Sequence, residues 1–303
     1  MEAKIDTNST PSGRGPTLPA GRRVHLPGRG DTFVRELPGP AGAPTVLLLH
    51  GWTATADLNW QRSFAALGCH FRVVAVDHRG HGRGLRCDGS FSLAACADDV
   101  AELIRTLRLE RVIVAGYSMG GPIAQLTWHR HRHLVAGLVL CATSQVFNDT
   151  SRDQVMFSML DRLSQMAGHR SMRGVVRKVL QGLAAAKART RLPGAWALEQ
   201  IARHDWLAVL EAGRELGRFD SRSWLGAVDV PAAVVATLDD EVVPVDRQVA
   251  MATAIEGASL HPIHAGHAAC YDSDTFVPAL LDACRSIAGR LTQGGAHRLL
   301  PAA

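Results

Sequence analysis

A chain of 303 residues that is 47% hydrophobic and 20% charged can bury a large core, so it reads as a globular protein, one domain with an insertion. No apolar run reaches the roughly 18 to 20 residues of a membrane span. The net charge of +5 is spread along the chain instead of forming a stripe, which argues against a nucleic-acid partner.

Residues 1–20 are rich in Pro, Gly, Ser and Thr and read as a disordered tail. This stretch lacks the apolar core of a signal peptide, and Arg22-Arg23 is followed by VHLPGRGDT, so the expected location is cytoplasmic. RRVHLPGRGDTFVREL reads as a β-hairpin turning at Gly28 to Asp31; its Arg-Gly-Asp tripeptide supplies the residue types a turn needs.

Short apolar runs follow: TVLLLHG (45–51), FRVVAVDHRG (71–80), RVIVAGYS (111–118), VAGLVLCAT (135–143) and PAAVVATLDD (231–240). Runs apolar on both faces suit the middle strands of a parallel sheet. Between the second and third, Leu93, Cys96, Val100, Leu103 and Leu107 recur at helical spacing behind Ser92 as N-cap, a crossover helix. Strand alternating with helix predicts an α/β fold, a doubly wound and mostly parallel sheet with functional residues beyond the strands' carboxyl ends.

The alternation stops over 145–228, where VMFSMLDRLSQMA places Val155, Met156, Met159, Leu160, Leu163 and Met166 on one side of a helix and no strand is evident. The expected organisation is a core of 21–144 and 229–292, an all-helical cap insertion over 145–228 and a flexible tail over 293–303. The six cysteines (Cys69, Cys87, Cys96, Cys141, Cys270, Cys284) have irregular spacing and read as small buried thiols. His129, His131 and His133 alternate, which sends neighbours about 200° apart on a helix, so they read as a solvated helix end and not a metal site.

GYSMG, Gly116 to Gly120, fits G-x-S-x-G and stands where that pattern must, between a buried strand and a helix. The glycines give clearance in a tight turn, and Ser118 takes a strained backbone that lifts its hydroxyl into a cleft. A serine hydroxyl needs a base, and the base an orienting carboxylate. TLDDEVVPVDRQ offers Asp239 and Asp240, and LHPIHAGHAACYDSD offers His264 and His267.

With these motifs the chain resembles the α/β-hydrolase superfamily from about Arg22 to Arg290. The resemblance to the serine esterase and lipase-like members, in the arylesterase and cofactor-free haloperoxidase-like branch, rests on HGW and GYSMGG. It implies Asp240, four residues before Pro244, as acid and His267, after Gly266, as base. Asp239 and His264 are rivals, and Asp149 is the only acid placed for a displaced arrangement. His50-Gly51-Trp52 resembles the family's HG-x oxyanion motif, which implies the backbone N–H groups of Trp52 and Met119 as an oxyanion hole. DHRGHGRG (77–84) also resembles the family, with Asp77, Arg79 and His81 as loop buttresses. Trp52, Tyr117, Met119, Met156 and Met159 are the candidate walls of an acyl pocket, with Trp196, Trp206 and Trp224 nearby.

The function implied is a serine hydrolase cleaving a small to medium apolar acyl or aryl ester through an acyl-enzyme on Ser118, with no metal or organic cofactor and a small-molecule acyl substrate as partner. Lactonase, thioesterase and carbon–carbon bond hydrolase activities would use the same triad. A ligand-binding protein that kept the scaffold without catalysis is the alternative of another class.

Overall fold

Branched aliphatic runs become the strands of one eight-stranded sheet. The computed structural model describes residues 15–86, 91–191 and 195–297. In chain order these form β1 (Gly21–Leu26), β2 (Gly30–Leu37), β3 (Thr45–Leu49), α1 (Ala56–Trp60), α2 (Phe64–Gly68), β4 (Arg72–Val76), α3 (Leu93–Thr106), β5 (Val112–Tyr117), α4 (Gly120–Arg130) and β6 (Val135–Cys141). Four helices follow, α5 (Ser151–Gly168), α6 (Arg170–Arg191), α7 (Ala195–Ala202) and α8 (Trp206–Arg218). The chain then returns to the sheet with β7 (Ala232–Thr237), α9 (Val245–Ala254), β8 (Ser259–Ile263), α10 (Ala269–Asp272) and α11 (Phe276–His297).

The strand order is β1-β2-β4-β3-β5-β6-β7-β8. β1 and β2 form the expected antiparallel hairpin, turning through Gly28 at φ +71°, and β2 joins β4 antiparallel; every pairing from β4 to β8 is parallel. Alternate side chains of each central strand enter opposite cores. On one face Leu47, Leu49, Val114, Leu138 and Val234 pack with α3, α4 and α9; on the other Val46, Leu48, Ile113, Val139 and Val235 pack with α1, α2 and α11. The crossover helix α3 starts as its sequence indicates, the Ser92 hydroxyl accepting the Ala95 N–H at 3.0 Å.

Between β6 and β7 the described residues are helical apart from one antiparallel bridge, Val146 to Asp220, which ties the two ends of the insertion together. Of the six residues of α5 expected on one side, Leu160 and Leu163 are partly buried, while Val155, Met156, Met159 and Met166 are exposed. Phe157 is buried and Leu160 partly so, because Gly217 and Gly213 of α8 leave room for them: a Cβ at Gly217 would overlap the Phe157 ring, and one at Gly213 would touch Leu160. Met156 and Met159 instead turn outward, 43% and 60% exposed.

The tails also depart from expectation at their inner ends. Residues 1–14 and 298–303, like Cys87, lie outside the described residues. Leu18 packs on the second core, and the carbonyls of Pro19 and Ala20 accept from the Arg35 guanidinium and the Glu36 N–H, so 18–20 are anchored to the hairpin. α11 continues to His297, past the expected boundary at 293. Cys96, Cys141, Cys270 and Cys284 are buried, and burial pushes the Cys270 and Cys284 thiols up to about 12; Cys69 is exposed.

Candidate active site

The glycines around Ser118 are a steric requirement. A Cβ at Gly116 would overlap the Gly120 carbonyl, one at Gly120 the Leu49 carbonyl, and one at Gly121 the Thr143 side chain. β5 can therefore turn into α4 within a residue or two, and Ser118 takes φ +50°, left-handed backbone that a non-glycine residue rarely adopts. Three hydrogen bonds hold it there: Ser118 N–H to Cys141 O (2.9 Å), Gly121 N–H to Ser118 O (2.8 Å) and the Thr143 hydroxyl to Ser118 O (2.8 Å).

From this turn the hydroxyl meets His267, delivered by the loop after β8. Ser118 Oγ lies 2.9 Å from His267 Nε2, and His267 Nδ1 lies 2.8 Å from Oδ2 of Asp240, on the loop after β7. Burial alone would raise the Asp240 carboxyl, but bonds from His267, the Val243 N–H and the Thr237 hydroxyl outweigh it and hold the group below the usual carboxylate range. An ionised Asp240 only accepts, so Nδ1 carries the ring proton, Nε2 is an acceptor, and the serine hydroxyl donates to it. The direction of the whole chain is thus set by one buried charge.

Asp240 is tightly held. Its Oδ1 accepts the N–H groups of Val242 and Val243, each at 2.8 Å, and Oδ2 also accepts the Thr237 hydroxyl at 2.8 Å. Gln248 of α9 braces this corner by donating to Val243 O (2.7 Å) and Thr237 Oγ1 (2.9 Å). On the other side Tyr117 donates its hydroxyl to His267 O at 2.8 Å. The rivals lie outside this chain: Asp239 and His264 are exposed and face each other at 3.8 Å, and Asp149 is exposed.

The loop after β3 passes directly beside the serine, since a Cβ on Gly51 would sit 3.3 Å from Ser118 Cβ. Asn59 fixes that loop by accepting the Gly51 N–H at 2.9 Å. The insertion grips it twice: the Trp52 indole N–H donates to Val209 O of α8 at 2.7 Å, and His204 Nε2 donates to Thr53 O at 3.1 Å. Behind it, the rings of His50, His78, His81 and His204 pack tilted or edge to face, with centroids 4.3 to 5.4 Å apart. Burial lowers all four, His204 to about 4, so they pack as neutral rings. Asp77 accepts the N–H groups of Ala56 and Arg83, and Arg79 forms a two-point ion pair with Asp99, both bonds 2.7 Å.

Of the other expected site residues, Trp52 is partly exposed, whereas Tyr117 and Met119 are buried in opposite cores. Met156 and Met159 are not brought to the inward face of α5. Trp206 stacks edge-on with His204, while Trp224 stacks on Trp128 and His129, away from His131, which meets Asp98 at 2.8 Å. A surface cleft of about 460 Å³ between Arg23, Arg83, Arg86 and Arg203 contains none of the residues around Ser118.

Comparison with known proteins identifies the family. The family model described as alpha/beta hydrolase fold matches residues 44–171. RutD of Agrobacterium fabrum, provisionally named a carbamate hydrolase, is 31% identical over 234 residues, covering 73% of this chain and 84% of that protein. The chain belongs to the α/β-hydrolase superfamily.

It is a hydrolase of that superfamily, and its relatives bear names of several chemistries. The 2-hydroxy-6-oxo-6-(2'-aminophenyl)hexa-2,4-dienoic acid hydrolase of Metapseudomonas resinovorans is 26% identical, covering 78% of this chain and 82% of that one. The enol-lactonase structure from Burkholderia xenovorans superposes with a TM-score of 0.69 at 22% identity, covering 87% of this chain and all of that one, a likeness of fold. Among the described residues no helix is long and apolar enough to cross a membrane.

Sequence reasoning missed Asn59, Thr237, Gln248 and His204 as site residues. Thr237 had a local signal, a hydroxyl at the strand end three residues before Asp240. The Trp52–Val209 and His204–Thr53 bonds span 157 and 151 residues and had none.

Proposed function

We propose that this hydrolase cleaves carboxylic esters of small to medium apolar acyl or aryl groups through an acyl-enzyme on Ser118, with His267 and Asp240 completing a catalytic triad. His267 Nε2 takes the Oγ proton as Oγ bonds to the acyl carbon, and Asp240 holds the resulting imidazolium. The tetrahedral oxyanion is received by the backbone N–H groups of Trp52 and Met119, where losing one such donor typically costs on the order of 3 kcal/mol. Collapse breaks the carbon–oxygen bond to the leaving alcohol, which takes the proton from His267. Water then repeats the sequence, deprotonated by His267 as it attacks the acyl-enzyme, and Ser118 recovers its proton as the acid leaves. Segment 145–228 serves as the cap, and the Trp52 ring, seated against α8, borders the acyl pocket.

The observation that carries this reading is the continuous chain from Ser118 Oγ through His267 to an ionised Asp240, at 2.9 and 2.8 Å. A fluorophosphonate probe tests the serine: the protein should label, and Ser118→Ala should not. No labelling under conditions where a known serine esterase reacts overturns the covalent step. p-Nitrophenyl esters of increasing chain length then test the substrate class.

A second reading, carbamate hydrolysis, draws on the likeness to RutD. It uses the same acyl carbon and the same attack, so a p-nitrophenyl carbamate beside the esters separates the two by kcat/KM.

A further inference from the structure

Among the described residues thirteen arginines are paired with acids. Arg35 and Arg83 meet Asp57, Arg72 meets Glu36, Arg130 meets Asp98, and Arg247 meets Asp153. α6 is different. Every charged residue from Arg170 to Arg191 is Arg or Lys, and among the described residues Arg170, Arg173, Arg177 and Lys178 are exposed and meet no carboxylate. The sequence reading that the positive charge is spread along the chain instead of forming a block does not hold for this helix.

The same helix leaves apolar surface in water. Its inward row is Met172, Val176 and Leu180, with Val176 buried. Beside that row Val175, Val179 and Leu183 recur every fourth residue along one stripe, and they are 52%, 53% and 64% exposed. Three large aliphatic side chains in a row, on a helix whose charges are all cationic, are costly for a surface that only faces solvent.

We propose that α6 docks the protein onto an anionic lipid surface, lying in the interface with the Val175–Val179–Leu183 stripe among the upper acyl carbons and its Arg and Lys side chains at the phosphates. Charge selects this occupant. A second copy applied to the same stripe would set two acid-free cationic helices against each other. A bilayer answers both features at once, since its phosphates take the cations and its acyl boundary takes the stripe. At 22 residues α6 extends about 33 Å, enough to lie along a membrane, and its cations keep it from entering one.

Flotation of the full chain with vesicles tests this without using the serine chemistry. Phosphatidylglycerol–phosphatidylcholine vesicles should carry the protein upward at low salt, and pure phosphatidylcholine should not. Val175→Asp/Val179→Asp/Leu183→Asp should cut partitioning at least tenfold with an unchanged circular-dichroism melt, as these side chains are exposed. Arg173→Gln/Arg177→Gln/Lys178→Gln should cut it on the order of a hundredfold, at about fivefold per cation near the surface. Equal binding to both vesicle types overturns the proposal, as does anionic binding that the aspartate variant retains. A dimer in sedimentation equilibrium that the aspartate variant dissolves would also overturn it, assigning the stripe to a second copy.

Discussion

The rim around Ser118 and the helical insertion are held by different forces. At the rim directed hydrogen bonds set the positions: Asp240 alone accepts from Val242, Val243, Thr237 and His267. In the insertion, α5 is placed by packing one apolar row on α8, and α5 and α6 each leave apolar side chains in water. Directed bonds fix one geometry and punish any loss, whereas row packing fixes only which side faces in. The rim should therefore fail by losing chemistry, and the insertion by losing stability.

The sharpest break of that contrast is Ser118→Ala, which should lower kcat by a factor on the order of 10⁶ with the melting temperature nearly unchanged. Burst kinetics with a p-nitrophenyl ester, beside a thermal melt, checks both halves. Next, Asp240→Asn should lower kcat by about 10⁴, because an amide at this position no longer dictates which ring nitrogen of His267 carries the proton. Asp239→Asn should leave kcat within a few-fold, and equal losses in the two variants would mean the acid has been misassigned.

In the insertion the contrast lies within one helix. Phe157→Ala should destabilise by about 3 to 5 kcal/mol, and Met159→Ala by under about 0.5 kcal/mol, measured by urea unfolding. Equal costs would show that the outward row is packed after all.

The buried histidines tie the two regions together through pH. His204, with a folded value near 4 against about 6.5 unfolded, is joined by His50, His78 and His81, all lowered by burial. Between these values the unfolded chain binds more protons, so stability should be full above about pH 6.5 and fall as pH drops toward 4. A melting temperature that stays flat across that window would refute the neutral cluster. Trp52→Phe, which removes the indole donor to Val209, should cost about 1 kcal/mol of stability, with kcat/KM falling more than KM rises if the bond positions the loop.

The sequence showed most of the sheet because buried parallel strands must be apolar on both faces, and short runs rich in branched residues such as VVAV and VIVA suit them. The Ser118 turn was legible for a related reason, since only glycine fits where β5 and α4 nearly touch. Asp240 needed the spacing to Pro244, and its separation from Asp239 becomes visible only in the bonds to Val242, Val243 and Thr237. The inward row of α5 could not be read. Methionines and leucines at helical spacing mark two possible faces, and the choice was made by Gly213 and Gly217, over fifty residues later in the chain.

The Trp52 indole and the His204 ring fasten α8 and the α7–α8 connection to the strand of backbone beside the serine. Displacing α8 would break both bonds and so release the loop that flanks Ser118 Oγ, which makes the seating of the insertion and the shape of this rim one variable.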